Sequence, residues 1–128
     1  MVGTITIQKF IDGSRNIVIK AAIGGDADLT NAVLFDASTY NVPSINNKLM
    51  KVEYGFSGFS AKLLWDATSN VDLIALPDTH LETQCYKFFS GILNNAAAGK
   101  TGDILITTVG IAAGDKGHII LYIKQKDV

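Results

Sequence analysis

Two histidines, one cysteine, twelve carboxylates and one Gly-Lys-Thr step are the side chains with which this chain could do chemistry. Gly99-Lys100-Thr101 ends like a phosphate-binding loop, in which amides at a helix N-terminus and a lysine meet a phosphate. That motif needs a glycine where Asn94 stands, and a helix after it; here an alternating segment follows. The step therefore reads as a turn entering a strand at Ile104. A catalytic metal takes about three protein ligands, and His80 and His118 form no His-x-His pair. His80 lies beside Asp78 and Glu82, a spacing that suits a proton switch or weak metal site but equally a solvated loop. His118 opens a strand after Gly117 and reads as structural. Cys85 would need a positioned base and an oxyanion hole to act as a nucleophile; it reads as a small buried hydrophobe. Asp26-Ala27-Asp28 offers two carboxylates where a calcium loop needs several. Neither a catalytic constellation nor a metal or cofactor is expected.

The aromatic residues are the remaining candidates, as stacking platforms or contact anchors. Phe56, Phe59 and Trp65 alternate with aliphatic residues and are assigned to the core. Tyr40, Tyr86, Phe88 and Phe89 lie in irregular stretches. They either anchor an interface or plug one end of the fold.

The elements that must position these residues follow a period of two almost throughout. Thr4-Ile5-Thr6-Ile7, the Asp12-Gly13 turn, and Ile17, Ile19, Ala21 and Ile23 predict a hairpin over 3–23. Weaker strand character runs from Leu29 to Phe35. Lys48 to Phe56 places Met50, Val52, Tyr54 and Phe56 on one face and Lys51 and Glu53 on a wet one. Phe59 to Trp65, Val71 to Leu76 and Asp103 to Val109 are further strands. Residues 79–100 are the least periodic: 84–89 reads as a short strand, 88–95 equally as a helical turn. His118 to Gln125 is apolar on both faces, which predicts burial on both sides. About eight short strands joined by Gly, Asp and Asn turns predict an all-β fold. The architecture expected is an antiparallel β-sandwich, jelly-roll-like, as one domain over 1–128.

The 128 residues are 48 % hydrophobic and 18 % charged, with a net charge of −1. A domain of this size buries enough surface to fold without a disulfide or metal. Near-neutral charge argues against an electrostatic nucleic-acid binder. No stretch approaches the ~20 apolar residues of a spanning helix, and the first residues alternate instead of forming a secretory leader. Neither nucleic acid nor membrane is expected as a partner, and a lone cysteine suits synthesis in a reducing cytoplasm.

Several stretches carry a resemblance. They are Lys9-Phe10-Ile11-Asp12-Gly13-Ser14-Arg15-Asn16 with Ile17 to Lys20, and Ala61-Lys62-Leu63-Leu64-Trp65-Asp66-Ala67-Thr68 on to Pro77. Asn94-Asn95, Gly99 to Ile104, Thr107 to Gly110 and Ile119 to Lys124 complete the set. With these turn and strand signatures the chain resembles small virion structural proteins of short-tailed bacteriophages. The resemblance implies a non-enzymatic capsid decoration (cement) protein, made in the bacterial host cytoplasm and carried on the capsid surface of the virion. Its implied partners are the major capsid protein and further copies of itself, with a trimer favoured. Within the same family a neck, tail or fibre-associated role is the alternative. Thr4, Ile5, Thr6, Ile7 and Phe10, or Tyr86, Phe88 and Phe89, are the candidate contact residues. Two other classes remain: a carbohydrate-binding jelly roll using Tyr40, Asn41, Asn46 and Asn47, and a metal-dependent enzyme on a cupin-like barrel.

Overall fold

The computed structural model describes residues 3–12, 16–25, 27–39, 47–79, 82–94, 96, 98–112 and 114–125. Among them are nine strands: β1 (Gly3–Asp12), β2 (Asn16–Gly25), β3 (Ala32–Phe35), β4 (Asn47–Ser57) and β5 (Ser60–Trp65), then β6 (Val71–Leu76), β7 (Gln84–Leu93), β8 (Ile104–Val109) and β9 (Lys116–Gln125). They form a five-stranded sheet, β1-β2-β9-β4-β7, and a four-stranded sheet, β3-β8-β5-β6, antiparallel at every junction.

The order has a simple physical origin. β5 pairs β6, β4 pairs β7, β3 pairs β8 and β2 pairs β9. These are successive segments of one two-stranded ribbon whose tip is the 66–70 turn. Folding that ribbon over itself sends alternate segments to opposite sheets, and the β4·β9 and β5·β8 contacts then close each sheet. The result is a jelly roll, with β1 added outside the ribbon against β2.

The alternation predicted from sequence sets the core. Ile17, Ile19, Ala21 and Ile23 of β2, and Ile119, Leu121 and Ile123 of β9, face Leu34, Leu63, Trp65, Ile104 and Ile106 of the other sheet, all buried. Phe56 stacks on Phe59 at 4.7 Å between ring centroids and tilts against Tyr54 at 4.8 Å. Burial pushes the Tyr54 phenol well above its ordinary pKa. It stays protonated and donates to the Pro77 carbonyl at 3.1 Å, fastening the end of β6 to β4.

Several expectations need correction. Of the two readings of the irregular stretch, the strand from 84 holds over the helical turn and runs on to Leu93, and it interrupts its own ladder. Lys51 lies opposite Lys87 and Leu49 opposite Ile92, so residues 88–91 all oppose Met50 alone. This wide bulge hides the alternation on which strand recognition depends. The same irregularity turns Met50 out of the inner row, where Leu49 takes its place. The last strand is not buried on both sides, since Ile120 and Tyr122 are only half-buried on the outer face.

Candidate functional site

The residues proposed for chemistry on sequence grounds do not converge among the described residues. Thr101 donates its hydroxyl to Asp66 Oδ2 at 2.9 Å and its amide to the Asp66 carbonyl at 3.3 Å. Gly99 has φ near +80°. Gly99-Lys100-Thr101 is thus the turn that feeds β8, and no helix follows. Cys85 is exposed, not buried, because it lies opposite Glu53 on the outer side of β7, an edge strand. His118 pairs with Ala22 and Gly55 in the ladders, while His80, Tyr40, Asn41 and Asn46 lie outside the described residues. Asn47 is fully buried and donates to the Gly102 carbonyl at 2.9 Å. It is a brace between chain segments, not part of an exposed sugar ledge. No group of three or more His, Cys, Asp or Glu side chains suited to a metal occurs among the described residues, and none of their helices is long and apolar enough to cross a membrane.

The aspartates organise loops. Asp28 accepts from the amides of Ile111 (2.8 Å) and Gly110 (3.1 Å) and from the Thr108 hydroxyl (3.2 Å). Those bonds favour its charged form and lower its pKa. Asp103 accepts from the Ala37 amide at 2.8 Å. Its pKa is raised, first by burial and then by Asp36 and Asp66, against the pull of that hydrogen bond.

The candidate contact residues fall on the two edges of the larger sheet. Thr4, Ile5, Thr6, Ile7 and Phe10 lie on β1; Tyr86, Phe88 and Phe89 lie on β7. Three strands separate them, about 19 Å at the usual strand spacing, so they cannot form one compact patch. Tyr86 is turned inward opposite Val52 and packs 5.9 Å from Tyr54. Phe88 is half-buried against the core. On β1, Ile7 is 42 % exposed, Phe10 49 % and Ile11 51 %. Seven consecutive residues, Gly3 to Lys9, pair with β2 before a bulge at Phe10. Among the described residues the opposite edge of β1 pairs with no strand. Lys9 Nζ donates to the Thr39 carbonyl at 2.8 Å, a side-chain tie to the turn after β3.

A second feature could not be read as a site from sequence. The outer face of the larger sheet carries a groove of about 770 Å³, with Val18, Met50 and Tyr122 beside Lys51, Lys87 and Lys124, and Asn16 at one end. The ladders show how it is built. One rank runs across all five strands: Ile11, Val18, Tyr122, Lys51, Lys87. The next is Asn16, Lys124, Lys48. Phe88, in the β7 bulge, lines the groove at the far side. Gly91, at φ near +80°, permits the bulge to close: a Cβ there would come within 2.6 Å of Met50 Sδ and 3.1 Å of Lys48 Cβ. Lys51 Nζ is 2.7 Å from Glu53 Oε1 and 4.8 Å from the centre of the Tyr122 ring. The bond to Glu53 raises the lysine pKa and lowers the carboxyl's. Alternation in β4 marks Lys51 as outward-facing; that Lys87 lies in its rank, and Lys124 beside Lys48 in the next, depends on pairing between distant strands.

No family model matches the chain, and no curated protein does. Among solved structures, a cupin superfamily protein from Desulfitobacterium hafniense DCB-2 aligns with a TM-score of 0.36 and 11 % identity, covering 97 % of this chain and 79 % of that one. The strand order, not this likeness, defines the jelly roll.

Proposed function

We propose that this chain is a structural protein of a bacteriophage particle, of the capsid decoration type, which binds an assembled lattice and does no catalysis. The observation that carries the reading is the long β1 edge with Ile7, Phe10 and Ile11 exposed. Among the described residues the outer side of β1 pairs with no strand; such an edge is a template for pairing with another chain, and the resemblance of the sequence to short-tailed phage virion proteins supplies the setting. A copy that binds the assembled lattice better than its free subunits stabilises that lattice by mass action. Contacts among copies, in a trimer, would bury the same edge under closed symmetry.

The test is copy number per purified particle, measured by quantitative mass spectrometry against the major capsid protein. Copies comparable to the major capsid protein are expected. A handful per particle would move the chain to the neck, tail or fibres, and absence from the particle would overturn the virion reading.

A further inference from the structure

The charge of this chain is unevenly placed. Its net charge is −1, yet the outer face of the larger sheet carries Lys20, Lys48, Lys51, Lys87 and Lys124 at strand positions. The acidic side chain described beside them is Glu53. Two pairs of these lysines stand directly opposite one another, Lys51 with Lys87 and Lys48 with Lys124. Like charges directly across a ladder destabilise a sheet. Folding alone gives no reason for two such pairs side by side, and Glu53 compensates only in part. Positions that cost stability without serving the core are where a binding role is expected.

The chemistry of the groove narrows the ligand. Lysines are donors with no acceptor capacity, so the occupant must be rich in acceptors and negatively charged. Val18 and Met50 give it an apolar floor. An acidic peptide fits poorly. Its backbone needs both donors and acceptors, and the strands flooring the groove have theirs committed to neighbouring strands. A single-stranded nucleic acid binds by stacking bases on open aromatic faces, whereas the Tyr122 ring is capped by Lys51 Nζ and Phe88 is half-buried against the core. An acidic sugar satisfies all the terms. Its carboxylates and hydroxyls accept from lysine, and its C–H face lies on an apolar floor.

We propose that this groove binds an acidic polysaccharide, with Lys87 and Lys124 as the principal anchors, Lys51 as the third cation, and Val18 and Met50 as the floor. The site is independent of whether the chain sits on a capsid. On a particle, it would face the partner side of the sheet or the medium according to how β1 docks.

The experiment is titration of the full chain with defined oligosaccharides (oligogalacturonate, oligomannuronate, a sulfated heparin fragment and neutral galactose oligomers) and, for comparison, with polyglutamate and a single-stranded oligonucleotide. Calorimetry and amide chemical shifts are the readouts. At least one anionic member is expected to bind, weakening as salt is raised, with shifts on β9, β4 and β7 and little from the neutral oligomer. Lys87→Glu/Lys124→Glu changes two exposed side chains and should weaken binding about tenfold or more, with far-ultraviolet dichroism unchanged. Lys62→Glu/Lys100→Glu, away from the groove, should leave it unaltered. Four results would overturn the proposal: no anionic sugar binding at low salt, equal binding by the K87E/K124E variant, shifts confined to other strands, or tighter binding of polyglutamate or an oligonucleotide.

Discussion

Replacing Ile7, Phe10 and Ile11 together by threonine probes the β1 edge while keeping residues that favour strands. Burying an isoleucine or phenylalanine side chain is worth ~1.5–3 kcal/mol. These three are 42 %, 49 % and 51 % exposed, so about half of that value is still unrealised in the isolated chain. Together they hold roughly 2–4 kcal/mol per copy for any partner that covers them. Losing one copy's share weakens association by about 30- to 1000-fold. The monomer should tolerate the change better than a core variant. β1 lies outside the paired ribbon of β2 to β9, so weaker docking of β1 leaves both four-strand layers intact. The expected cost to unfolding is about 2–4 kcal/mol, from the halves now buried. Sedimentation velocity over a concentration series, with co-sedimentation on decorated particles, reads the association; thermal unfolding reads the fold. A wild-type chain that associates with its partners no better than the triple variant would refute the edge as the contact.

Three further outcomes follow from single contacts. A Cβ at Gly117 would come within 2.5 Å of Phe56 Cδ1 and 2.8 Å of Phe59 Cζ, with the Gly55 carbonyl at 3.3 Å. Gly117→Ala must therefore separate the stacked rings, and should cost ~1–3 kcal/mol and lower Tm by roughly 4–10 °C in a thermal melt. Asp103 has a raised pKa in the folded chain, so its ionisation opposes folding: stability falls as pH rises from the ordinary carboxylate value through the folded one. Asp103→Asn keeps an acceptor for the Ala37 amide, and should be at least as stable as wild type at neutral pH. That advantage should disappear in urea titrations below the carboxylate range. Asp28 has the opposite sign, since its lowered pKa gives stability above the ordinary value that is lost as pH falls through the depressed one. Asp28→Asn, with one acceptor oxygen where two now serve Ile111 and Gly110, should be less stable at neutral pH and converge with wild type in acid.

The two-sheet architecture was legible because most strands bury one face only. Ile17, Ile19, Ala21 and Ile23 alternate with outward residues, and burial follows that alternation. The aromatic core members Phe56, Phe59 and Trp65 were legible for the same reason. Met50 and residues 84–93 were not, because a bulge breaks the period of two on which the inference rests. Cys85 was misread because its residue type suggested burial, while its place on an edge strand put it outside.

By itself, the sequence determined local matters wherever the period of two is unbroken: which residues are strand, where turns fall, which side chains point inward, and that charge is low. Each depends on neighbours within a few positions. Strand order belongs to the tertiary structure. The groove brings together Val18, Met50, Lys87 and Tyr122 from four strands widely separated along the chain. Only the wrapping of the paired ribbon sets β9 between β2 and β4 and aligns their registers. The same wrapping places the two apolar segments proposed as contacts, on β1 and β7, at opposite edges of one sheet. Alternation fixes the face on which a side chain lies but carries no information about which distant strand becomes its neighbour.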